Sequence, residues 1–206
     1  MKNKVIALIG VMALSVAALS GCGGKAEQAA PSNQPAPSKE TAKENEVGMA
    51  NPWVDITEEE ADKLCPRMFK APEGAKVLGW MKCESLGDPK NDVGPLIQLI
   101  FELDGNEFTA RAQYGASEED DISGIYADWA VGPEDCTIAN WGEGHMPGKA
   151  FRAVDDDGYT DLMTWYDFEI GIKYSLSVTA PDLDGFDIQG VVEQMYSADN
   201  EPDVGD

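Results

Sequence analysis

Leu96-Ile97-Gln98-Leu99-Ile100-Phe101-Glu102-Leu103-Asp104-Gly105-Asn106-Glu107-Phe108-Thr109-Ala110-Arg111-Ala112-Gln113-Tyr114 is the stretch that decides the fold class. Ile97, Leu99, Phe101 and Leu103 alternate with Gln98 and Glu102. Phe108, Ala110, Ala112 and Tyr114 then alternate with Glu107, Thr109, Arg111 and Gln113. Period-two alternation sends one set of side chains to a buried face and the other toward water. Between the two runs, Asp104-Gly105 supplies a tight turn, because Asp tolerates left-handed backbone and Gly adopts it freely. The stretch therefore predicts a hairpin of an antiparallel sheet with one dry face and one wet face.

Working upstream, residues 75–83 predict a strand with Val77, Gly79 and Met81 on one side. Before it, Ile56-Thr57-Glu58-Glu59-Glu60-Ala61 carries a capping box, with Thr57 as cap and Glu60 three residues on. Ala61, Leu64 and Met68 share a face of that short helix, and Pro66 ends it near Cys65. Downstream, residues 115–148 read as irregular. A second hairpin follows, from 149–154 through Asp156-Asp157-Gly158 to 159–166, and then a strand over 172–179. The last element is a helix over 186–196, with Ile188, Val191, Val192 and Met195 on one stripe and Asp184 or Asp187 as cap. The expectation is an α+β domain over 51–196: a single twisted antiparallel sheet of five to seven strands with two helices packed on one face. Residues 197–206 read as a frayed tail.

The chain begins differently. Lys2 and Lys4 precede an apolar run from Val5 to Ala18, which is short for a membrane span and fits an export signal. Leu19-Ser20-Gly21-Cys22 closes it and resembles the bacterial lipobox. That resemblance implies removal of residues 1–21 and a diacylglycerol thioether on Cys22, with acyl chains such as palmitate. Two chains on one residue hold a protein stably at a membrane, where one binds only marginally. The expected place is the extracytoplasmic face of a bacterial cell membrane. Residues 22–50, rich in Ala, Gln, Ser, Pro, Lys and Glu, read as a disordered tether. As a flexible coil it would span about 30 Å.

With 15 Lys+Arg against 38 Asp+Glu the chain carries a formal charge of −23. Loss of Lys2 and Lys4 would take this to −23 − 2 = −25. Such a surface repels nucleic acid and anionic headgroups and favours cations and basic partners. Cys22 aside, Cys65, Cys83 and Cys136 remain, at no metal-knuckle or C-x-x-C spacing. They read as three buried thiols, or as one disulfide plus one thiol. Cys65 with Cys83 is then the favoured pair from proximity in sequence.

Signatures of chemistry are sparse. There is no G-x-S-x-G, H-E-x-x-H or P-loop. His145 is the sole histidine, set in Trp141-Gly142-Glu143-Gly144-His145. It reads as an exposed loop histidine, as part of a binding loop or, with Glu143, as a weak metal ligand. Trp129 and Trp141 lie in irregular sequence and are candidates for an exposed platform on which a sugar or peptide could stack. Asp182-Leu183-Asp184-Gly185-Phe186-Asp187 looks like a fragment of a calcium loop, with Glu193 at the twelfth position. Phe186 occupies a ligand position, though, and the Gly comes early. Asp184 and Asp187 are equally explained as helix caps. No cofactor other than calcium is suggested.

Asp121-Ile122-Ser123-Gly124-Ile125-Tyr126, then Trp165-Tyr166-Asp167, then Tyr174-Ser175-Leu176-Ser177 and a closing amphipathic helix form a recognisable succession. It resembles a domain of unknown function in clostridial (Firmicutes) cell-surface lipoproteins, related to domains attached to regulators of extracytoplasmic sigma factors. The resemblance covers most of 51–196. It implies an extracytoplasmic sheet-plus-helix module with no established activity and no catalytic residues to carry over. The expected function is a non-enzymatic, lipid-anchored module that binds a small ligand or an envelope protein through the 115–148 segment. The alternatives are a carboxylate-based extracytoplasmic hydrolase and a structural calcium-stabilised domain.

Overall fold

The alternating runs assemble into one sheet, seen in a computed structural model that describes residues 51–156 and 158–197. The signal segment, Cys22, the tether and the tail from 198 onward lie outside the described residues. The elements are β1 (Val54–Ile56), α1 (Glu58–Leu64), β2 (Lys76–Cys83), β3 (Leu96–Leu103), β4 (Asn106–Tyr114), β5 (Trp129–Ile138), β6 (Met146–Asp155), β7 (Gly158–Asp167), β8 (Ile172–Ala180) and α2 (Ile188–Gln194). The strands form one 8-stranded sheet in the order β1-β2-β3-β4-β8-β7-β6-β5. Every pairing is antiparallel. Two meanders thus meet at a central seam between β4 and β8, running from Phe108 opposite Val178 to Tyr114 opposite Ile172.

The α+β class holds, but the sheet is larger than the expected five to seven strands. The additional strands are the two edges. β1 is only 3 residues long. β5 runs through a segment expected to be irregular, because its side chains are mostly exposed and Gly132-Pro133 interrupts it. Its register with β6 shifts twice, between Trp129 and Val131 and between Val131 and Glu134. An edge strand that buries neither face has no reason to alternate.

Both helices follow their caps. The Glu60 amide donates to Thr57 Oγ1 at 3.2 Å, and the Thr57 amide donates to Glu60 Oε2 at 2.9 Å. These bonds hold the Glu60 carboxyl below its usual range. Helix α1 stops at Leu64, before Pro66. In α2 the Gly190 amide donates to Asp187 Oδ1 at 3.0 Å, and Ile188, Val191 and Val192 are buried.

One face of the sheet forms the main core. Ile97, Leu99, Phe101, Phe108, Ala110, Ala112, Tyr174, Leu176, Met163 and Trp165 face it, together with Val191, Val192 and Met195 from the helix side. Phe101 and Phe108 stack across the hairpin with centroids 5.0 Å apart. The expectation for β2 needs correction. A bulge between Val77 and Gly79 puts Val77 opposite Phe101 and Trp80 opposite Leu99. Trp80, rather than Gly79 and Met81, therefore takes the core side, where it stacks on Phe69.

The opposite face is not simply wet. Gln98 and Gln113 are buried there. Cys83, Leu96 and Ile122 form a second, smaller cluster beside Trp53. The segment 115–128, which connects β4 to the far edge, lies over this face. Arg111 Nη1 donates to the carbonyls of Ser123 at 2.6 Å and Ile122 at 3.1 Å, while Nε donates to Gln98 Oε1 at 2.9 Å. Lys173 Nζ donates to the Glu118 carbonyl at 2.7 Å. The three remaining cysteines are free. Cys65 belongs to the main core and Cys83 to the second cluster, so the favoured Cys65–Cys83 pairing is corrected.

Candidate functional site

The alternation that buries Ile172, Tyr174, Leu176 and Val178 of β8 sends Lys173, Ser175 and Ser177 to the opposite, polar face. On neighbouring strands, Ser175 pairs with Thr164, Thr164 with Lys149, and Lys149 with Asp135. These side chains share that face, and Asp135, Lys149 and Thr164, with Lys173, floor a concavity of about 120 Å³. Its walls come from Glu118 of the crossing segment and from Tyr166 and Phe168 at the β7–β8 turn. Phe168 meets Tyr166 edge-on at 4.9 Å and is 62% exposed.

The lining carries two ammonium groups, Lys149 and Lys173, and two carboxylates, Glu118 and Asp135. Lys173 is only 8% exposed. Burial pushes its ammonium below the ordinary lysine value; Glu118 opposes this shift and Lys149 adds to it. Among the described residues, Lys149 and Lys173, like Lys70 and Lys90, have no carboxylate within ion-pair distance, whereas Lys63, Lys76 and Lys82 each do. The Thr164 hydroxyl, half-buried between them, has no hydrogen-bond partner among the described residues.

A second concavity lies on the helix side between α2 and the β5–β6 edge, over Arg152 and Asp161. Arg152 Nε and Nη2 donate to the two oxygens of Asp161, each at 2.6 Å. This fork holds the Arg152 guanidinium above its ordinary value. Both carboxylate oxygens are engaged by one cation, which makes the pair a structural clamp rather than a proton-transfer site.

The residues expected from sequence are dispersed. Trp129 begins β5 and packs at a tilt on Phe151, centroids 5.3 Å apart, half-buried. Trp141 is not an exposed platform: it is 1% exposed, meets Trp165, Tyr174 and Tyr196 edge-on, and donates Nε1–H to the Val192 carbonyl at 3.1 Å. The apolar interior outcompetes solvent for so large a ring, and the α2 carbonyl satisfies its one donor. Glu143, at φ 54°, and His145 are exposed in the β5–β6 turn. Neither lines the polar-face concavity.

Asp182 and Asp187 are used locally. Asp182 Oδ1 accepts from the Asp184 amide at 2.9 Å, and Asp187 caps α2. Glu193, the twelfth position of the calcium-loop reading, instead accepts from the Ala139 amide at 3.2 Å. Among the described residues no three His, Cys, Asp or Glu side chains gather closely enough to share an ion. Asp182, Asp184 and Asp187 are thus not brought together as a cation loop.

Sequence reasoning missed Lys149, Thr164, Phe168 and Lys173. A signal was present: with only 15 Lys+Arg in 206 residues, basic side chains at outward strand positions are worth following. Comparison with protein-family models, with curated proteins and with solved structures returns no match.

Proposed function

We propose that this chain is a lipid-anchored module on the extracytoplasmic face of a bacterial membrane, held by Cys22, that binds a ligand or envelope partner without catalysing a reaction. The observation that supports the reading is the concavity on the polar face. Its floor is drawn from neighbouring strands of one hydrogen-bonded sheet, so its shape is set before anything binds. Glu118, Asp135 and Pro147 place part of its lining within the 115–148 segment. Lipobox, tether and domain follow one another in the order expected of a folded domain held on a lipid anchor.

The test uses the full chain in its native membrane. Mass analysis should find acyl glycerol on Cys22, lost in Cys22→Ser. Affinity capture from detergent-solubilised envelope should enrich a partner or ligand over a charge-matched control. Lys149→Glu, an exposed change at the concavity, should abolish that enrichment. An unlipidated Cys22 defeats the localisation. Equal recovery with wild type, Lys149→Glu and control defeats the binding role.

A further inference from the structure

We infer that the polar-face concavity takes a small organic monocarboxylate with an apolar substituent, its carboxylate between Lys149 and Lys173 and its apolar group against Phe168 and Tyr166. The inference rests on the binding-module reading and names the ligand class for that same site.

The cation pair comes first. Like charges gathered on one patch repel, and a protein with 38 Asp+Glu has ample means to neutralise them. Yet among the described residues no carboxylate stands within ion-pair distance of either lysine. Lys173 Nζ donates to one backbone carbonyl, and an ammonium carries three donors. Thr164, opposite Lys149 in register, adds a hydroxyl without a partner among the described residues. Two ammonium groups and a hydroxyl on one floor are a receiving set for an oxyanion.

The walls choose among oxyanions. Asp135 lies opposite Lys149 on the same floor and Glu118 lies in the wall, and their negative charge disfavours a dianion such as phosphate more than a single carboxylate. Phe168 and Tyr166 offer an aromatic edge beside the cations, and Phe168 is left open to solvent. Burial of such a ring by an apolar substituent is favourable at about 25 cal/mol per Å². At about 120 Å³ the concavity is smaller than the dry cavity of about 150 Å³ that takes benzene, so an aromatic acid seats its carboxylate on the floor and leaves part of its ring in the open mouth, against Phe168.

The test is calorimetric titration of the full chain in detergent, at fixed ionic strength, with phenylacetate, acetate and inorganic phosphate as probes. Phenylacetate should bind saturably at one site, with acetate and phosphate at least about tenfold weaker. Lys149→Gln, at an exposed position that leaves the core intact, should weaken phenylacetate about tenfold, the scale of one charge-assisted hydrogen bond. Phe168→Ala should bring phenylacetate to the level of acetate and leave acetate unchanged. Lys173→Met, checked for native circular dichroism, should weaken both carboxylates. No saturable phenylacetate binding, binding indifferent to Lys149→Gln, or phosphate tighter than phenylacetate would each overturn the assignment. If the envelope capture still depends on Lys149 while phenylacetate fails, the ligand class alone falls. If both fail, the binding-module reading falls with it.

Discussion

The two faces of the sheet are closed by different physics. On the helix side, aromatic and aliphatic side chains bury one another: Trp141, Trp165 and Tyr174 interlock, with Trp165 and Tyr174 stacked at 5.2 Å. On the other side, long polar side chains reach out of the sheet and hold loop backbone by its carbonyls. Arg111 holds Ile122 and Ser123, Lys173 holds Glu118, and Gln113 Nε2 donates to Leu86 at 2.7 Å and Gly94 at 3.0 Å. The first face resists deformation because any opening exposes apolar area. The second is a set of directional bonds, each replaceable by water at small net cost.

Three measurements press on that contrast. The largest effect is expected on the helix side. Trp141→Ala removes a buried ring from three aromatic neighbours and should cost about 3–5 kcal/mol, read as a drop in denaturation midpoint. A loss close to zero would mean the apolar face is not the stabilising one. Next, Arg111→Met keeps the bulk of the side chain but strips the donors from the crossing segment. It should cost about 1–3 kcal/mol and raise hydrogen exchange over 115–128, with β3 and β4 still protected. Equal deprotection of the whole sheet would show the two faces to be one cooperative unit.

The smallest effect concerns the thiols, one on each kind of surface. Half-buried Cys136 at the edge should be alkylated well before Cys65 or Cys83, which are enclosed. Burial pushes the Cys65 thiol up from the ordinary 9.0 to about 12. The folded chain keeps that proton where the unfolded chain would lose it. The contribution is therefore complete below pH 9.0 and is lost as pH climbs toward about 12. The melting temperature should fall across that window, and the fall should be shallower in Cys65→Ala.

What could be read from the sequence follows the same division. Strands β3, β4, β7 and β8 announce themselves because one side of each is dry, and burial writes a period of two into the residues. Helix α2 is legible for the same reason at a different period, and α1 because Thr57 and Glu60 complete a local reciprocal bond. Strand β5 buries little on either side, so its residues were free to be Gly132, Pro133, Glu134 and Asp135, and the pattern vanished. In β2, one extra residue at the bulge moved Trp80 to the core, a shift that alternation alone does not encode. The candidate site was hidden in part by distance: Lys149, Thr164 and Lys173 lie on the successive strands β6, β7 and β8, but Glu118 reaches Lys173 only because the crossing segment folds back over them. Trp141 misled because irregular sequence suggested an open loop, whereas the α2 carbonyl of Val192 was waiting for its indole.

The seam between β4 and β8 has a consequence for how the molecule comes into being. Asn106–Tyr114 is synthesised long before Ile172–Ala180, yet the two lie side by side in the middle of the finished sheet. Until the later strand arrives, the first meander ends in a naked ribbon of amides and carbonyls beside a row of Phe and Ala. That ribbon is a template for any other extended chain nearby. Closing the seam also spans more sequence than any hairpin in the domain, so it belongs among the slow steps of folding. Newly made chains are therefore most vulnerable to sticking together in the interval before their penultimate secondary-structure element is in place.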